Sequence, residues 1–317
     1  MFRFSVFLLM KKTATLPYAI PSISELHRIL ELPKPFHPLV SVIDMSEIKC
    51  VIGTEFKSVM YEFYSICIKK DFKGKMKYGQ NYYDFDEGVV TFFSPGQVIF
   101  TEVTEDMSVS GHWLIFHPDF ILNYALAKNI KNYGFFSYAV NEALHLSEKE
   151  EQMVTGLMKS IEQEYQSVID TFSQDVIVSQ IELLLNYFNR FYNRQFLTRK
   201  SANHDLLTNL EKLLDDYFNS DQVQKTGLPT VHYLAEKLHI SANYLSDMLR
   251  NLTGQNTQQH IHSKLIEKAK EILTTTSLTV GEIAYQLGFG HPQSFSNFLK
   301  TKPTSRHWNS AILSTDF

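Results

Sequence analysis

The chain has 317 residues, 44% of them apolar and 20% charged, so it is long enough for two hydrophobic cores and has the composition of a soluble globular protein. Its net charge of −4 excludes a surface that is basic throughout, and any contact with nucleic acid must therefore be local. The two cysteines, Cys50 and Cys67, indicate a reducing compartment without disulfide bonds, and no apolar run reaches the roughly 20 residues of a membrane span. We expect a cytoplasmic protein with neither a secretory signal nor a membrane partner.

The N-terminal part of the chain predicts strands. Residues 40–45, 61–70 and 88–100 are rich in β-branched and aromatic residues. Turn signals such as Ser94-Pro95-Gly96 divide these segments. Strands of this length at close spacing favour an antiparallel sandwich or barrel, so we predict a β-rich domain over residues 1–146.

The histidines and carboxylates of this domain do not indicate an enzyme. His112 and His117 are five positions apart, so strand alternation puts them on opposite faces, and we interpret both as structural. Asp84, Asp86 and Glu87 form an acidic cluster that we interpret as a solvated turn. No catalytic triad, phosphate-binding loop or carboxylate pair has usable spacing, so we expect neither catalysis nor a metal or other cofactor.

Aromatic residues of the same region are candidates for a small-molecule pocket, although packing on alternate faces of strands explains most of them equally well. The identity of such an effector is not written in the sequence. The candidate pocket residues are Tyr82, Tyr83, Phe85, Phe92 and Phe93.

From Ser147 onward the apolar residues recur at helical spacing. Ser147 and Glu150 have the spacing of a capping box, which predicts the start of a first helix. A second helix at about 173–195 has an apolar stripe too broad for one neighbour, so we predict packing on the β-rich domain and on a second copy of the chain. Residues 147–200 are thus a helical connector and the candidate dimerisation element. The stripe comprises Val176, Ile177, Ile181, Leu184, Leu185, Phe188 and Phe191.

A pattern near the C-terminus occurs twice, at 231–250 and at 280–300. With Val280 aligned on Val231, the apolar positions coincide, with one extra residue in the middle of the second copy. Each copy predicts a short helix, a turn and a second helix, which is a helix-turn-helix. Thr279 and Glu282 predict a capping box at the start of the second copy. The matched pairs are Leu234 with Ile283, Ala235 with Ala284, Leu238 with Leu287, Ile240 with Phe289, Leu245 with Phe295, and Met248 with Phe298.

The exposed side of the second helix in each copy is small, polar and basic, which suits the major groove of DNA. Asn and Gln pair with adenine edges, Arg pairs with guanine, and Ser binds bases or phosphates. The sequence also predicts a helix over 258–275, with Ile261, Leu265, Ala269 and Leu273 on one side. This helix would hold the two candidate recognition helices at a separation close to one helical repeat of DNA. The predicted DNA-binding residues are Ser241, Ala242, Asn243, Ser246, Asp247, Arg250, His291, Gln293, Ser294, Asn297 and Lys300.

A repeated helix pair is also compatible with core packing in a helical solenoid, but two copies are too few for one. The stretches 234–246, 252–261, 264–273 and 280–300 closely resemble the tandem helix-turn-helix domain of AraC/XylS-type transcription regulators. More loosely, residues 78–97 and the helices up to 200 resemble the cupin-like N-terminal part of some of these regulators. The resemblance implies an N-terminal half that senses a ligand or dimerises and a C-terminal half that binds promoter DNA and contacts RNA polymerase. It favours an activator and a homodimer, although many relatives act as monomers and the sequence does not distinguish an activator from a repressor.

We therefore predict an α+β protein with a β-rich, cupin-like domain at 1–146, a helical connector at 147–200 and an all-α double helix-turn-helix domain at 201–317. The predicted function is sequence-specific binding of double-stranded promoter DNA. The alternative is a cupin-like ligand-binding or dimerisation protein whose DNA binding is impaired by an altered C-terminus.

The alternative arises from residues 301–317, which lack the Ser/Thr-Pro-x-Glu-Tyr/Phe-Arg pattern that closes the second unit in the family. A neighbouring reading frame around His307 and Ala311 can encode Thr-Pro-Leu-Glu-Phe-Arg. One hypothesis is a single-base frameshift near residues 300–303, and the other is a diverged, solvated tail.

Overall fold

The computed structural model describes residues 17–48, 58–73, 75–78, 81–84, 88–100, 108–139, 142–168 and 170–300, and the statements below concern these residues. The chain forms two compact units. The first consists of Met1–Lys128 and Leu146–Ile181, and the second of Asn129–His145 and Glu182–Phe317. The domain boundaries predicted at 146 and 200 remain predictions.

Strands dominate the first unit, as the sequence predicts. In the main sheet β7, β4, β9 and β2 are neighbours in that order, and all three pairings are antiparallel. A second sheet has the order β1-β3-β8, in which β1 runs parallel to β3, and β5 pairs with β6. The strands are β1 (Tyr18–Ile20), β2 (Val40–Asp44), β3 (Ser58–Tyr61), β4 (Tyr64–Lys73), β5 (Lys75–Tyr78), β6 (Asn81–Asp84), β7 (Val89–Phe93), β8 (Val98–Phe100) and β9 (Ser108–Phe116), and a short β10 (Leu144–His145) belongs to the second unit.

The main sheet carries a buried polar group among its apolar residues. All five residues of β7 are buried, which matches their β-branched and aromatic character. Within β4, Ser65 accepts a hydrogen bond from Trp113 Nε1 at 2.7 Å. Lys69 of the same strand is only 4% exposed, and burial lowers the pKa of its ammonium.

Helices flank these strands: α1 (Ile23–Ile29), α2 (Pro118–Ile121), α3 (Ala125–Asn129) and α4 (Glu148–Gln166). The capping box predicted for α4 is confirmed, because Ser147 and Glu150 each accept a hydrogen bond from the other's backbone N–H. Tyr165 at the end of α4 anchors the helix to the sheet, since its hydroxyl accepts a hydrogen bond from Val42 N at 2.9 Å.

The second connector helix, α5, spans Ser173–Thr198. Six of the seven residues of its predicted apolar stripe are buried. Val176 is the exception and is 38% exposed in the single chain, and the predicted packing of part of the stripe on a second copy stays a prediction. Because α5 begins at Ser173, Val176 lies in the first turn, next to Ile177 on the rim of the stripe.

The second unit is helical beyond α5. Its helices are α6 (Lys200–Phe218), α7 (Gln222–Thr226), α8 (Val231–Lys237), α9 (Ala242–Thr253), α10 (Thr257–Thr275), α11 (Val280–Gln286) and α12 (Pro292–Lys300). A β-rich N-terminal region followed by a helical C-terminal region confirms the predicted α+β class. No helix in the described ranges is long and apolar enough to cross a membrane.

The two histidines considered as metal ligands have separate structural positions. His112 lies on β9, and burial lowers the pKa of its ring. His117 caps α2, and its ring nitrogen accepts a hydrogen bond from Asp119 N at 3.2 Å. The described residues contain no group of three or more side chains that could hold a metal ion. Of the predicted acidic turn, Asp84 ends β6, and Asp86 and Glu87 lie outside the described residues.

Candidate DNA-binding interface

The two copies of the repeat fold alike, position by position. In the first, α8 ends in a turn where Ile240 N donates to Ala235 O at 3.0 Å. In the second, α11 ends in a turn where Phe289 N donates to Ala284 O at 2.9 Å. Residues 49 positions apart thus make the same backbone hydrogen bond, and the predicted duplication extends to the backbone.

The residue that turns the chain is left-handed in both copies. It is His239 in the first, with φ 57°, and Gly288 in the second, with φ 81°. A side chain at Gly288 would overlap the backbone oxygen of Val223 in the first turn of α7. Glycine is therefore required in the second turn both by conformation and by space, whereas the first turn accommodates a histidine.

Capping residues start the helices as the sequence predicts. Thr279 and Glu282 form a capping box at α11, and Ser241 Oγ accepts a hydrogen bond from Tyr244 N at the start of α9. Pro292 is the first residue of α12, where its missing N–H costs nothing. These local signals fix where each helix of the two units begins.

The inner faces of α9 and α12 hold the units together. The first helix-turn-helix copy buries four residues of α9: Tyr244, Leu245, Met248 and Leu249. In the second copy, Phe295 and Leu299 are buried and Phe298 is half-buried. The ring of Phe298 has an edge contact with His262 of α10, with ring centroids 4.9 Å apart, which leaves part of the phenyl group uncovered.

Helix α10 joins the two units. A capping box of Asn256 and Gln259 begins it, and its 19 residues give a length of about 28 Å. Ile261, Leu265 and Ala269 are buried, as predicted. Leu273 is only half-buried, because it lies in the last turn of the helix.

The outer face of α12 is open. The side chains of Gln293, Ser294 and Asn297 are exposed, as is His291 just before the helix. Lys300 is the last residue of α12, and the structure describes its backbone but not its side chain. An amide, a hydroxyl and a second amide thus stand on one helix, the donor and acceptor types that read base edges.

The outer face of α9 is largely engaged within the protein. Asn243 and Arg250 are exposed, but Ala242 is half-buried. Ser246 Oγ lies 2.9 Å from the hydroxyl of Thr257. Arg250 Nη1 donates to Asp247 Oδ1 at 2.8 Å, so the predicted guanine-reading residue has an acidic partner on its own helix.

A segment far away in sequence supplies further partners. Glu142 accepts hydrogen bonds from Ser241 N and Ser241 Oγ, at 2.5 and 2.6 Å. Tyr138 donates its hydroxyl proton to Asp247 Oδ2 at 2.7 Å. Burial raises the pKa of the Glu142 carboxyl, while the bonds from Ser241 act in the opposite direction. Sequence reasoning missed both residues, since no periodicity or motif marks the stretch that contains them.

The candidate small-molecule pocket is only partly described. Phe92 and Phe93 are buried neighbours on β7, so alternation directs them to opposite faces of the sheet. Tyr82 and Tyr83 belong to β6, and Phe85 lies outside the described residues. The pocket therefore remains a prediction.

Comparison with known proteins identifies the class of the C-terminal part. Residues 234–302 match the family described as "Helix-turn-helix domain". The chain is 30% identical over 122 residues to the uncharacterized HTH-type transcriptional regulator YfiF of Bacillus subtilis, covering 38% of this chain and 36% of that protein. It is 26% identical over 124 residues to the HTH-type transcriptional activator RhaS of Citrobacter koseri, covering 39% of this chain and 42% of RhaS.

Two solved structures are also similar. The C-terminal domain of the response regulator yesN from Fusobacterium nucleatum is 31% identical, covers 31% of this chain and 88% of its own, and has a TM-score of 0.27. ToxT from Vibrio cholerae is 14% identical, covers 86% of this chain and 97% of its own, and also has a TM-score of 0.27. TM-scores of this size do not establish a common fold.

Residues 234–302 therefore match a helix-turn-helix domain, as the sequence resemblance to AraC/XylS-type regulators predicts, and the two curated relatives are HTH-type transcription regulators. The chain spans less than half the length of the two relatives, YfiF and RhaS.

Proposed function

We propose that the chain is a non-catalytic, sequence-specific transcription regulator that reads two successive major-groove segments through α9 and α12. The observation that supports this most is the repeated backbone geometry of the two units. Two copies with the same turn, separated by one helix of about 28 Å, are suited to neighbouring grooves about 34 Å apart along DNA.

The test is footprinting of the full chain on its own promoter and on neighbouring genes. Gln293→Ala on α12 should weaken binding to the protected site by about 1–3 kcal/mol, because it removes one contact to a base edge. Lys300→Ala should weaken binding to all sequences and flatten the salt dependence, because a phosphate contact carries no sequence information.

Lys212→Ala is the matched control, since Lys212 is an exposed cation on α6, outside both helix-turn-helix copies. It should leave the affinity within about twofold of wild type, apart from a small general charge effect. A chain that protects no site in any of these duplexes would contradict the proposal.

Activation through RNA polymerase is the finer part of this proposal, and it rests on the family resemblance and on RhaS being an activator. Transcription in vitro from a promoter that the chain protects should rise when the chain is added. A fall in transcript with full occupancy of the site would instead identify a repressor.

Homodimerisation is supported by the outer face of α5. Val176, Leu183 and Leu197 are 38%, 45% and 51% exposed and recur at multiples of seven residues, which puts them on one stripe. Sedimentation at tens of micromolar should show a dimer for wild type and a monomer for Leu183→Glu. Asn189→Glu adds the same charge away from the stripe and should leave the dimer intact; a monomeric wild type would remove this part of the proposal.

Response to a small ligand is proposed for the β-rich unit. Strand alternation puts Lys69 and the candidate pocket residue Phe93 on the same face of the main sheet, and a basic side chain on that face suits a ligand with an acidic group. Small carboxylic acids should raise the thermal midpoint of the full chain, whereas the matching amides should not. Lys69→Gln should abolish the shift, and equal shifts with acids and amides would contradict an anionic ligand.

A further inference from the structure

The start of α9 is covered by a short segment of the same unit. The segment consists of residues 134–139 and Glu142, and we call it the clamp. Its two polar contacts with α9 join residues 99 and 109 positions apart in sequence. The clamp thus lies on the first candidate recognition helix through tertiary structure alone.

The carboxylate of Glu142 is fixed by three donors. Ser241 donates both its N–H and its hydroxyl, and Ala139 N donates at 2.6 Å. Glu142 is 3% exposed. A serine hydroxyl and a backbone N–H at a helix N-terminus are the groups that typically bind DNA phosphates. The carboxylate therefore occupies the place on α9 that suits a phosphate oxygen.

A second contact lies one turn further along α9. Tyr138 donates to Asp247 Oδ2 at 2.7 Å, and its ring meets the edge of Tyr244 with centroids 5.3 Å apart. The backbone of Gly134 is so close that a side chain there would overlap the Asp247 carboxylate. The clamp thus covers the first two turns of α9, where a recognition helix presents its base-reading residues.

The other side of the clamp is attached to α5. Tyr192 donates its hydroxyl proton to Glu142 O at 3.2 Å, and its ring lies against that of Tyr138, with centroids 5.1 Å apart. The side chain of Gln195 donates a hydrogen bond to Ala143 O at 3.1 Å and accepts one from His145 N at 2.8 Å. The clamp is therefore fixed to α5 by backbone-directed bonds, while its hydrogen bonds to the start of α9 are made by the side chains of Glu142 and Tyr138.

We propose that the clamp is an autoinhibitory element: Glu142 takes the place of a DNA phosphate on α9, and α9 binds DNA only when the clamp is displaced. This inference rests on the proposed DNA-binding function. The carboxylate acts twice, because it occupies the Ser241 donors and also places a negative charge where the phosphate backbone would approach. In the clamped state α12 is the only one of the two readers whose outer face is open.

The experiment measures binding of the full chain to a duplex selected by Glu142→Gln protein from a random-sequence pool. Glu142→Gln should bind this duplex about fivefold more tightly than wild type, the effect of one charge at a helix terminus. The slope of log affinity against log salt should steepen by about 0.9, because one more phosphate is bound. Tyr138→Phe, which removes only the hydroxyl bonded to Asp247, should tighten binding by about twofold.

Glu211→Gln is the matched control, since Glu211 is an exposed acid on α6 and its loss changes the net charge equally. It should leave affinity and salt slope at the wild-type values. If Glu142→Gln and Tyr138→Phe keep the wild-type far-ultraviolet spectrum and thermal midpoint but bind no more tightly, the clamp is only a support for α9 and the inference is wrong. If wild type and every variant fail to select any sequence, the proposed function itself fails, and the clamp proposal fails with it.

Discussion

Helices α9 and α12 occupy equivalent places in the two helix-turn-helix units, yet their outer faces are in different states. Gln293, Ser294 and Asn297 of α12 are exposed, whereas Ser241 and Asp247 at α9 are bonded to Glu142 and Tyr138. The same local pattern thus yields one open and one covered candidate recognition helix. The difference teaches that a repeat in sequence fixes the backbone of each copy but not the availability of its surface.

The turns of the two helix-turn-helix copies also differ, and this difference predicts the largest effect, which is on stability. Gly288→Ala should destabilise the second helix-turn-helix copy by about 3 kcal/mol, because alanine is strained at positive φ and its side chain would overlap Val223 O. Denaturant unfolding followed by circular dichroism measures the change. Hydrogen exchange should locate the loss in α11 and α12.

The matched substitution in the first turn is His239→Gly. Relief of left-handed strain and the extra freedom of the unfolded chain oppose each other there, so the change should stay below about 1 kcal/mol. Similar losses for both substitutions would show that the second turn is no more constrained than the first.

The comparison between open and covered readers predicts the next largest effect. In wild type, Gln293→Ala on α12 should cost about 1–3 kcal/mol of specific DNA binding, because the proposed function assigns its exposed amide a contact to a base edge. Asn243→Ala on α9 should cost less than about 0.5 kcal/mol while the clamp holds that helix back from the groove. The measurement is a titration of both variants against the same selected duplex.

Combining each of these changes with Glu142→Gln sharpens the comparison. Release of α9 should raise the cost of Asn243→Ala toward that of Gln293→Ala, since both amides then meet bases. Equal costs already in the wild-type background would mean that the clamp does not hold α9 back from DNA, which contradicts autoinhibition.

A smaller effect comes from the caps of the first helix in each unit. Thr279→Ala should destabilise α11 by about 1 kcal/mol, because the N-cap hydroxyl accepts the hydrogen bond of Glu282 N. Thr230→Ala at the equivalent position should cost a similar or smaller amount, because Tyr233 stands where Glu282 completes the capping box. Hydrogen exchange of the first-turn amides measures each loss, and a larger loss at α8 would contradict the prediction.

The smallest expected effect is a pH dependence of stability that is confined to the second helix-turn-helix copy. The hydrogen bonds from Thr279 lower the pKa of Glu282 below its usual value. Since the folded-state pKa is the lower one, this contribution to stability is present above the ordinary carboxyl pKa of about 4.5 and is lost as pH falls through the folded-state value. Protection of the α11 amides should therefore drop in acid in wild type, whereas Glu282→Gln should abolish this dependence.

Much of the fold was predictable because its signals are local. The capping boxes at Ser147 and Thr279, the N-cap Ser241 and the first helical residue Pro292 involve residues within three positions of each other. Helical and strand periodicity likewise depend only on near neighbours. These features also gave the alignment of the two copies and, through it, the class of DNA-binding domain.

Contacts between distant residues account for what the sequence did not indicate. Phe298 has the same apolar character as Phe295, yet it is only half-buried, with the rings of His262 and Phe289 against it. Val176 continues the apolar stripe of α5 in sequence, yet it lies on the rim, where no neighbour buries it. The extent of burial at these positions follows from which elements are adjacent in space, which periodicity along one helix does not contain.

The sequence by itself determined two helix-turn-helix units, where their helices begin and which side chains each presents outward. Only the tertiary structure decided that the outward face of α9 is bonded to Tyr138 and Glu142 while that of α12 is open. The physical reason is that hydrogen-bonding groups at a helix surface have no preferred partner in their own sequence neighbourhood. Glu142 meets Ser241 because the fold brings together two residues 99 positions apart, and nothing local to either of them specifies that meeting.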